Sequence, residues 1–502
     1  VRVLLLFLLT RFGASSAETV EILRDNFGTP HVFAQTSAGA AYAVGYVQAE
    51  DRTEALLRNL RGAGAESVLL SPRVQAIVEA FCAGINQYLS EHPKQGPAVT
   101  PSMVVAFSRR AFTTIHGSND VLIGPPRSST GSVIAILDPL SGWNDGGRPY
   151  EMRFYASGDR LAISGVAPAG VPFPLIGHNA SVAIGWSGSA ETAGPRALEQ
   201  AWAMITANAL AAAQTALRMG QIPGTVLIGT ADGEIYDSSG KTTDEGVLLQ
   251  RRTIPDSEAI TRKVLASQNT WPFGRVVDLA FSTDVYKAET WLARLAKAAP
   301  ELPFVQMLTG WNRRSDPMST PALAFYLFKL ALGKPEAAAL EPPDSLSNNR
   351  IRAALRKAQD QVETVLPYRA DYGTMFRIAR DGASQSFPVG GGTVPEAGMI
   401  TPRAIRFERR GAVIMGAGGQ SATQVVELSG VPHSVSILVP GESDSPDSGF
   451  FDDQARQLFS KGAAKETYFR DRKELERHLS SKKELIFSPV DATNTSGASV
   501  DR

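Results

Sequence analysis

The chain has 502 residues, 43% of them hydrophobic and 20% charged, which supplies a large core and excludes a disordered protein. Fifty basic residues balance fifty acidic ones with no Lys/Arg-rich cluster, so the charge argues against nucleic acid or an anionic membrane surface and favours small-molecule chemistry. The single cysteine, Cys82, supports neither a disulfide framework nor a Cys/His metal cluster, and its apolar helical surroundings read as burial.

At the start of the chain, Arg2, the apolar block Val3–Leu9 and the small residues Ser15-Ser16-Ala17 predict a secretory signal over residues 1–17, and with it export to the bacterial periplasm. The alternative is a buried N-terminal strand or helix; the apolar block is too short to span a bilayer. Val20–Leu23 and His31–Ala34 read as strands joined by the turn Gly28-Thr29-Pro30. From Ala38 to Leu60 the residues Ala41, Val44, Gly45, Val47, Ala49, Ala55 and Leu56 recur at helical spacing, with Glu50-Asp51-Arg52 turned to solvent or into a buried ion pair. An amphipathic helix is expected over Arg73–Leu89. Beyond residue 118 short β-prone runs (Ser132–Leu137, Leu161–Ser164, Val182–Trp186, Thr225–Ile228) alternate with Gly, Pro and Asp. Helices are expected at Pro195–Met219, Lys287–Ala298, Pro321–Gly333 and Asn348–Thr364, and strands at Gly411–Met415, Gln424–Leu428 and Ser434–Val439. This mixture predicts a layered α+β architecture rather than a regular parallel βα repeat. The Ser/Thr/Asn/Gly-rich tail, residues 491–502, reads as disordered.

The chemistry centres on Gly117-Ser118-Asn119. By itself the tripeptide suits a turn, but a Gly-Ser bond is also where a chain most easily cuts itself. Glycine leaves its carbonyl unshielded, and the serine hydroxyl can attack it in an N-to-O acyl shift. Hydrolysis of the ester would leave Ser118 as a new N-terminus, carrying a nucleophile together with an α-amine whose pKa, about 7.7–8.0, titrates near neutrality.

Residues around it carry a resemblance. Arg24-Asp25-Asn26-Phe27-Gly28-Thr29-Pro30-His31-Val32, then Gly45-Tyr46-Val47-Gln48-Ala49-Glu50-Asp51-Arg52, resemble the opening of the penicillin acylase family of N-terminal nucleophile hydrolases. The likeness continues in order through Gly117-Ser118-Asn119, Asp138-Pro139, Gly177-His178-Asn179, Gln268-Asn269, Gly310-Trp311-Asn312, Tyr372-Gly373, Phe387-Pro388-Val389-Gly390-Gly391, Pro440-Gly441-Glu442-Ser443 and Phe451-Asp452-Asp453-Gln454. The resemblance implies a four-layer αββα core and a self-processing amidohydrolase for a small N-acyl compound, such as an acyl-homoserine lactone or a penicillin-type amide. It implies that Ser118 is the nucleophile with its own α-amine as base, and that cleavage at Gly117–Ser118 leaves α and β chains that stay associated. Asn269 would be the side-chain oxyanion donor and the Ala190 main-chain N–H the second donor, in a register that could slip by a residue or two. Asn119, His178 and Lys287 would be supporting residues, His178 a structural one. The expected divisions are 1–17 signal, 18–117 α-chain-like region with any spacer, 118–490 catalytic region and 491–502 tail.

Asn269 alone would also suit a turn or cap, His116 a solvated loop, His31 a packed turn, Asp452-Asp453 caps or solvated groups, and Phe107, Phe154, Val166 and Phe173 either an acyl pocket or core. The chain also departs from the family pattern. Where relatives often carry a hydrogen-bonding residue near the freed amine it has Leu140; where they often place a Trp it has Val121. Lys287 stands for an arginine, keeping the charge without the planar fork, or is a plain surface lysine. The segment ahead of Ser118 is about half the usual length and lacks the part that normally supplies a calcium ligand. Calcium is thus implied by the resemblance alone, and no hard-cation spacing supports it; no other cofactor is expected. These departures keep open a rival reading, a non-catalytic or unprocessed relative acting as a secreted binding protein.

Overall fold

The structure, a computed structural model, describes residues 17–93, 97–144, 146–241, 246–251, 257–365 and 371–489. The signal and tail expectations fall outside these, Ala17 apart. The chain opens with strands β1 (Glu18–Asp25) and β2 (Pro30–Ala34), then helices α1 (Ser37–Ala63), α2 (Pro72–Glu91) and α3 (Pro101–Ala111). Seven strands follow: β3 (Gly117–Ile123), β4 (Ile134–Leu137), β5 (Pro139–Gly142), β6 (Pro149–Ala156), β7 (Leu161–Pro168), β8 (Ile176–His178) and β9 (Val182–Trp186). Next come α4 (Ala197–Ile205), α5 (Leu210–Leu217), β10 (Val226–Thr230), β11 (Ile235–Asp237) and β12 (Val247–Arg251). A run of helices, α6 (Ser257–Leu265), α7 (Phe273–Ala280), α8 (Ala288–Ala298), α9 (Pro303–Thr309), α10 (Thr320–Leu332), α11 (Asn348–Val365) and α12 (Tyr372–Met375), precedes the last strands. Those are β13 (Phe376–Ile378), β14 (Phe387–Pro388), β15 (Thr393–Val394), β16 (Met399–Ile400), β17 (Ile405–Arg410), β18 (Val413–Gln420), β19 (Ala422–Glu427) and β20 (His433–Leu438). The chain closes with α13 (Asp453–Gln457), β21 (Lys465–Glu466), α14 (Arg472–Leu475) and β22 (Leu479–Phe487).

Local chemistry accounts for the first elements. Asp25 Oδ1 accepts from the backbone N–H groups of Phe27 and Thr29 at 2.9 and 3.0 Å, which closes the turn between β1 and β2. Thr36 caps α1, accepting from Gly39 N, and Ser71 caps α2 ahead of Pro72. Inside α1, Arg52 leaves helical geometry (φ −142°, ψ 43°) and turns its side chain inward. The expected helix Pro195–Met219 is two: Asn179 Nδ2 donates to the carbonyls of Ile205 and Ala207 at 2.9 and 2.8 Å, satisfying the end of α4 and stopping it there.

Two sheets organise the molecule. The first runs β11-β10-β9-β8-β7-β6-β2-β1-β22, antiparallel except where β2 meets β6. In the second, β3 lies between β12 and the nearly continuous pair β4–β5, which in turn borders β18 and β19. Strands β3 and β4 pack against β9, and β3 also against β10, so the sheets face each other. On the first sheet's other side lie α1, α4 and α5; α6, α7 and α13 pack on the second sheet. Helices α8 to α11 build their own apolar cluster around Trp291, Trp311, Phe325 and Phe328. The fold is α+β.

Candidate active site

Ser118 stands second in β3, the central strand of the second sheet, and is fully buried. Pleating sends alternate side chains to opposite faces. Leu122 joins the core shared with Ile184 and Ile228 of the first sheet, whereas Val121 and Ile123 pack with Trp271 and Leu279 on the other side. Ser118 and Asp120 therefore look toward the first sheet with Leu122, and Asn119 looks away. Gly117 has φ 153°, a conformation that L side chains rarely adopt, and it pairs with Leu140 while Ser118 pairs with Pro139.

On the far face Asn119 Nδ2 donates to Asp138 Oδ2 at 3.2 Å and its N–H to the Asp138 carbonyl at 3.0 Å. Gln420 Nε2 donates to the same Oδ2 at 3.0 Å and to the Ala280 carbonyl at 2.8 Å, and Thr423 Oγ1 donates to Asp138 Oδ1 at 2.7 Å. This network holds the strand that carries Ser118. Asp138 belongs to one of the quoted motifs; Gln420 and Thr423 were unmarked in the sequence.

On the serine's own face the partner is Asp120, which no motif singled out. Its Oδ1 accepts from the Asp138 backbone N–H at 2.7 Å. Its Oδ2 and the Ser118 Oγ are both buried without a hydrogen-bond partner. They lie near enough for the hydroxyl to favour the Asp120 anion, yet do not close a bond. Burial pushes the Asp120 carboxyl up to about 7, against the opposing pull of the Asp138 and Trp186 backbone N–H groups and the Ser118 hydroxyl. Across the gap Gly185 supplies the room, since a Cβ there would come within 2.7 Å of Oδ2. The strand alternation Ser118, Asp120, Leu122 is the sequence signal that could have found it.

Other expected residues fall elsewhere. Asn269 is exposed in the loop after α6, its carbonyl accepting from Arg127 Nε at 2.8 Å, beside the bridge between Ser128 and Trp271. That loop lies beyond the Ile123 end of β3, so the structure does not bring Asn269 to Ser118 as an oxyanion donor. The loop is fixed by Arg127, whose guanidinium also ties the carbonyls of Leu265 and Gln268 at 2.7 and 3.0 Å. Lys287 stands at the N-cap of α8, paired with Glu341 at 3.2 Å and set over the Tyr286 ring. The run holding Ala190 passes beside the lead-in to Ser118, where a Cβ on Gly188 would meet the Ile115 carbonyl at 2.0 Å, but Ala190 itself is exposed.

His178 is buried, its Nε2 2.9 Å from Ser434 Oγ and its Nδ1 3.1 Å from the Asn179 carbonyl; burial lowers its pKa to about 3, which keeps it neutral. His31 is packed 3.7 Å from Asp25. Asp453, expected as a cap or solvated group, is instead buried, and burial pushes its carboxyl up to about 7. Phe107, Phe154, Val166 and Phe173 all lie in the main core, Phe154 and Phe173 edge-on to Trp202. The Glu50-Asp51-Arg52 motif forms ion pairs: Arg24 holds Glu50 and Asp51 at 2.8 Å each, and Arg52 donates to the carbonyls of Glu442 (2.8 Å) and Pro149 (2.6 Å). The quoted segments around residues 50 and 440 thus meet in space. Near Ser118, His116 and Leu140 line a cavity of about 320 Å³ with Ile405 and Phe407, within the size range of small-molecule sites.

Among the described residues no group of three or more His, Cys, Asp or Glu is placed to hold a metal ion. Two of the carboxylates are neutralised by cations, buried Glu151 by Arg153 and Lys465, and half-buried Asp444 by Arg148 and Arg380. The residues present do not fit a calcium site. No helix among them is long and apolar enough to cross a membrane.

The profile of the family described as Penicillin amidase matches residues 19–65, 97–192 and 257–474. Two relatives, both acyl-homoserine lactone acylases PvdQ, are each 23% identical to the chain. That from Pseudomonas fluorescens aligns over 34% of this chain and 33% of its own length, that from Pseudomonas putida over 36% and 34%. The match thus spans about a third of these relatives' length. Among solved structures, a thermostable penicillin G acylase from Alcaligenes faecalis is similar at 12% identity, covering 74% of this chain and all of that one, with a TM-score of 0.47. A profile matched over well over half of the chain, spanning both the lead-in to Ser118 and the strands around it, shows that the chain belongs to the penicillin amidase family.

Proposed function

We propose that the chain is a self-processing amidohydrolase with the αββα core of N-terminal nucleophile hydrolases, in which Ser118 cuts its own peptide bond and then cleaves the amide of a small N-acyl compound. The observation that carries this reading is the buried Gly117–Ser118 junction at the head of the central strand, in a chain of this family. Ser118 Oγ adds to the Gly117 carbonyl, the C–N bond gives way to an ester, and water hydrolyses it, freeing a Gly117 carboxylate and the Ser118 α-amine. That amine then takes the Oγ proton as substrate is attacked, giving an acyl-enzyme that water resolves. In the uncut chain the serine is inaccessible, so activity would follow cleavage. The names of the relatives favour acyl-homoserine lactones.

Intact-mass spectrometry of the purified chain tests this. Two fragments, one beginning at Ser118, are expected from the wild type and one uncut chain from Ser118→Ala; the processed form should then release free amine from acyl-homoserine lactones of graded length. The placement of Asn269 favours a second reading, an uncut relative that binds N-acyl compounds without hydrolysing them, and a wild-type chain that stays whole would establish it over the first.

A further inference from the structure

The uncut chain poses a problem that the mature one does not. The base that serves a freed Ser118 is its own α-amine, but before cleavage that nitrogen is the amide of the bond to be cut and has no basic lone pair to offer. Something else must take the Oγ proton. We propose that Asp120 is the general base of self-cleavage and, in the same cycle, the acid that returns the proton to the departing nitrogen.

Asp120 sits two residues along the same strand and on the same face as Ser118. Its orientation is set by the Asp138 N–H on Oδ1, at 2.7 Å, which leaves Oδ2 as the open acceptor. Both Oδ2 and Ser118 Oγ are buried and unpartnered, an arrangement that costs free energy in a purely structural site. The glycine opposite, Gly185, leaves the carboxylate its space. His116, the histidine nearest in sequence, is exposed at the strand's entrance and is not part of this enclosed face.

The step balances. The Oγ–H proton moves to Asp120 Oδ2 as Oγ bonds to the Gly117 carbonyl carbon. The tetrahedral centre then collapses, the bond from that carbon to the Ser118 nitrogen breaks, and Asp120 gives the proton to this nitrogen. The products are an ester at Oγ, a free α-amine and an Asp120 carboxylate restored to its starting state.

This inference rests on the self-processing reading, and the experiment separates the two. Full-length wild type, Asp120→Asn, Asp120→Glu and Ser118→Ala are incubated at neutral pH and the uncut fraction is followed by intact mass, with and without hydroxylamine, which traps esters. Asparagine keeps the acceptor for the Asp138 N–H and removes the base. Asp120→Asn should cut at least about a hundredfold more slowly than wild type, the usual worth of a positioned base. Hydroxylamine should speed wild-type cutting and leave Asp120→Asn unchanged, because no ester forms; Asp120→Glu should recover part of the rate. A wild type that never cuts overturns the self-processing reading and this inference with it. A wild type that cuts, beside an Asp120→Asn variant that cuts equally fast or is rescued by hydroxylamine, overturns the role of Asp120 alone. Should Asp120→Asn melt well below Ser118→Ala, a folded Asp120→Glu decides, overturning the proposal if it stays whole and supporting it if it cuts.

Discussion

A carboxylate buried without a counter-charge has a cost that depends on pH, and Asp120 is such a group. Its folded pKa, about 7, lies above the ordinary 3.8, so the folded state binds the proton more tightly than the unfolded one. Stability therefore falls as pH rises from about 4 to about 7 and levels off above, the reverse of a salt-bridged aspartate. Across the shift of roughly three pKa units the cost reaches about 4 kcal/mol, at about 1.4 kcal/mol per unit. In a Ser118→Ala background, which would exclude the proposed self-cleavage, Asp120→Asn should raise the melting temperature markedly more at pH 8 than at pH 5. Equal effects at both pH values, read by calorimetry, would show that the carboxyl is already ionised in the folded chain at pH 5 and that burial does not raise its pKa. Much of the site's meaning at this scale was legible: Gly117, Ser118 and Asn119 stand out by residue type, and Asp138 by its motif. Asp120 was not, because burial and the absence of a partner decide its role and neither is written in a residue's identity. Asn269 misled for the complementary reason: order along the chain says which motif a residue belongs to and nothing about which end of a strand its loop reaches.

At the scale of elements, helix packing rests on two glycines. A Cβ on Gly84 of α2 would meet the Tyr42 carbonyl at 1.8 Å, and one on Gly45 of α1 would meet the Phe81 carbonyl at 2.1 Å. The two helices touch backbone to backbone at reciprocal points. Gly84→Ala must push them apart, since a backbone carbonyl cannot rotate away like a side chain, and should cost at least about 2 kcal/mol. Gly62→Ala, at a position in α1 with nothing within 4 Å, should be neutral or stabilising by up to about 1 kcal/mol. Chemical denaturation of both variants checks the contrast; similar losses would mean helix propensity, not approach, governs the pair. The elements with clear periodicity, β1, β2, α1, α2, α8, α10 and α11, could be read from residue pattern within a few positions. Strand β22, with its polar Ser480-Ser481-Lys482-Lys483-Glu484 run, could not: it is an edge strand whose one apolar side is defined only by the neighbour it joins.

At the scale of the whole molecule, the junction at residue 117 divides a structure that is sewn together elsewhere. Strand β1 pairs with β22 over its full length, β2 pairs with β6, and the buried guanidinium of Arg52, which precedes the junction, reaches two carbonyls that follow it, those of Pro149 and Glu442. Removing one side of such a buried polar contact costs several kcal/mol, so these contacts resist separation. The cleaved fragments should therefore co-elute as one species in size-exclusion chromatography and part only in denaturant; separate elution under native conditions would show that the peptide bond, not the sheet, holds the halves together.

Because β1 and β22 lie side by side, with Glu18 opposite Phe487, the chain can in principle be rewired. A short linker joining the end of β22 to the start of β1, with new termini opened between Gly117 and Ser118, yields a circular permutant that begins at Ser118 once its initiator methionine is removed. Such a protein would be born with the terminal serine that the proposed self-cleavage would expose, and the chemistry of maturation could be discarded while the fold is kept.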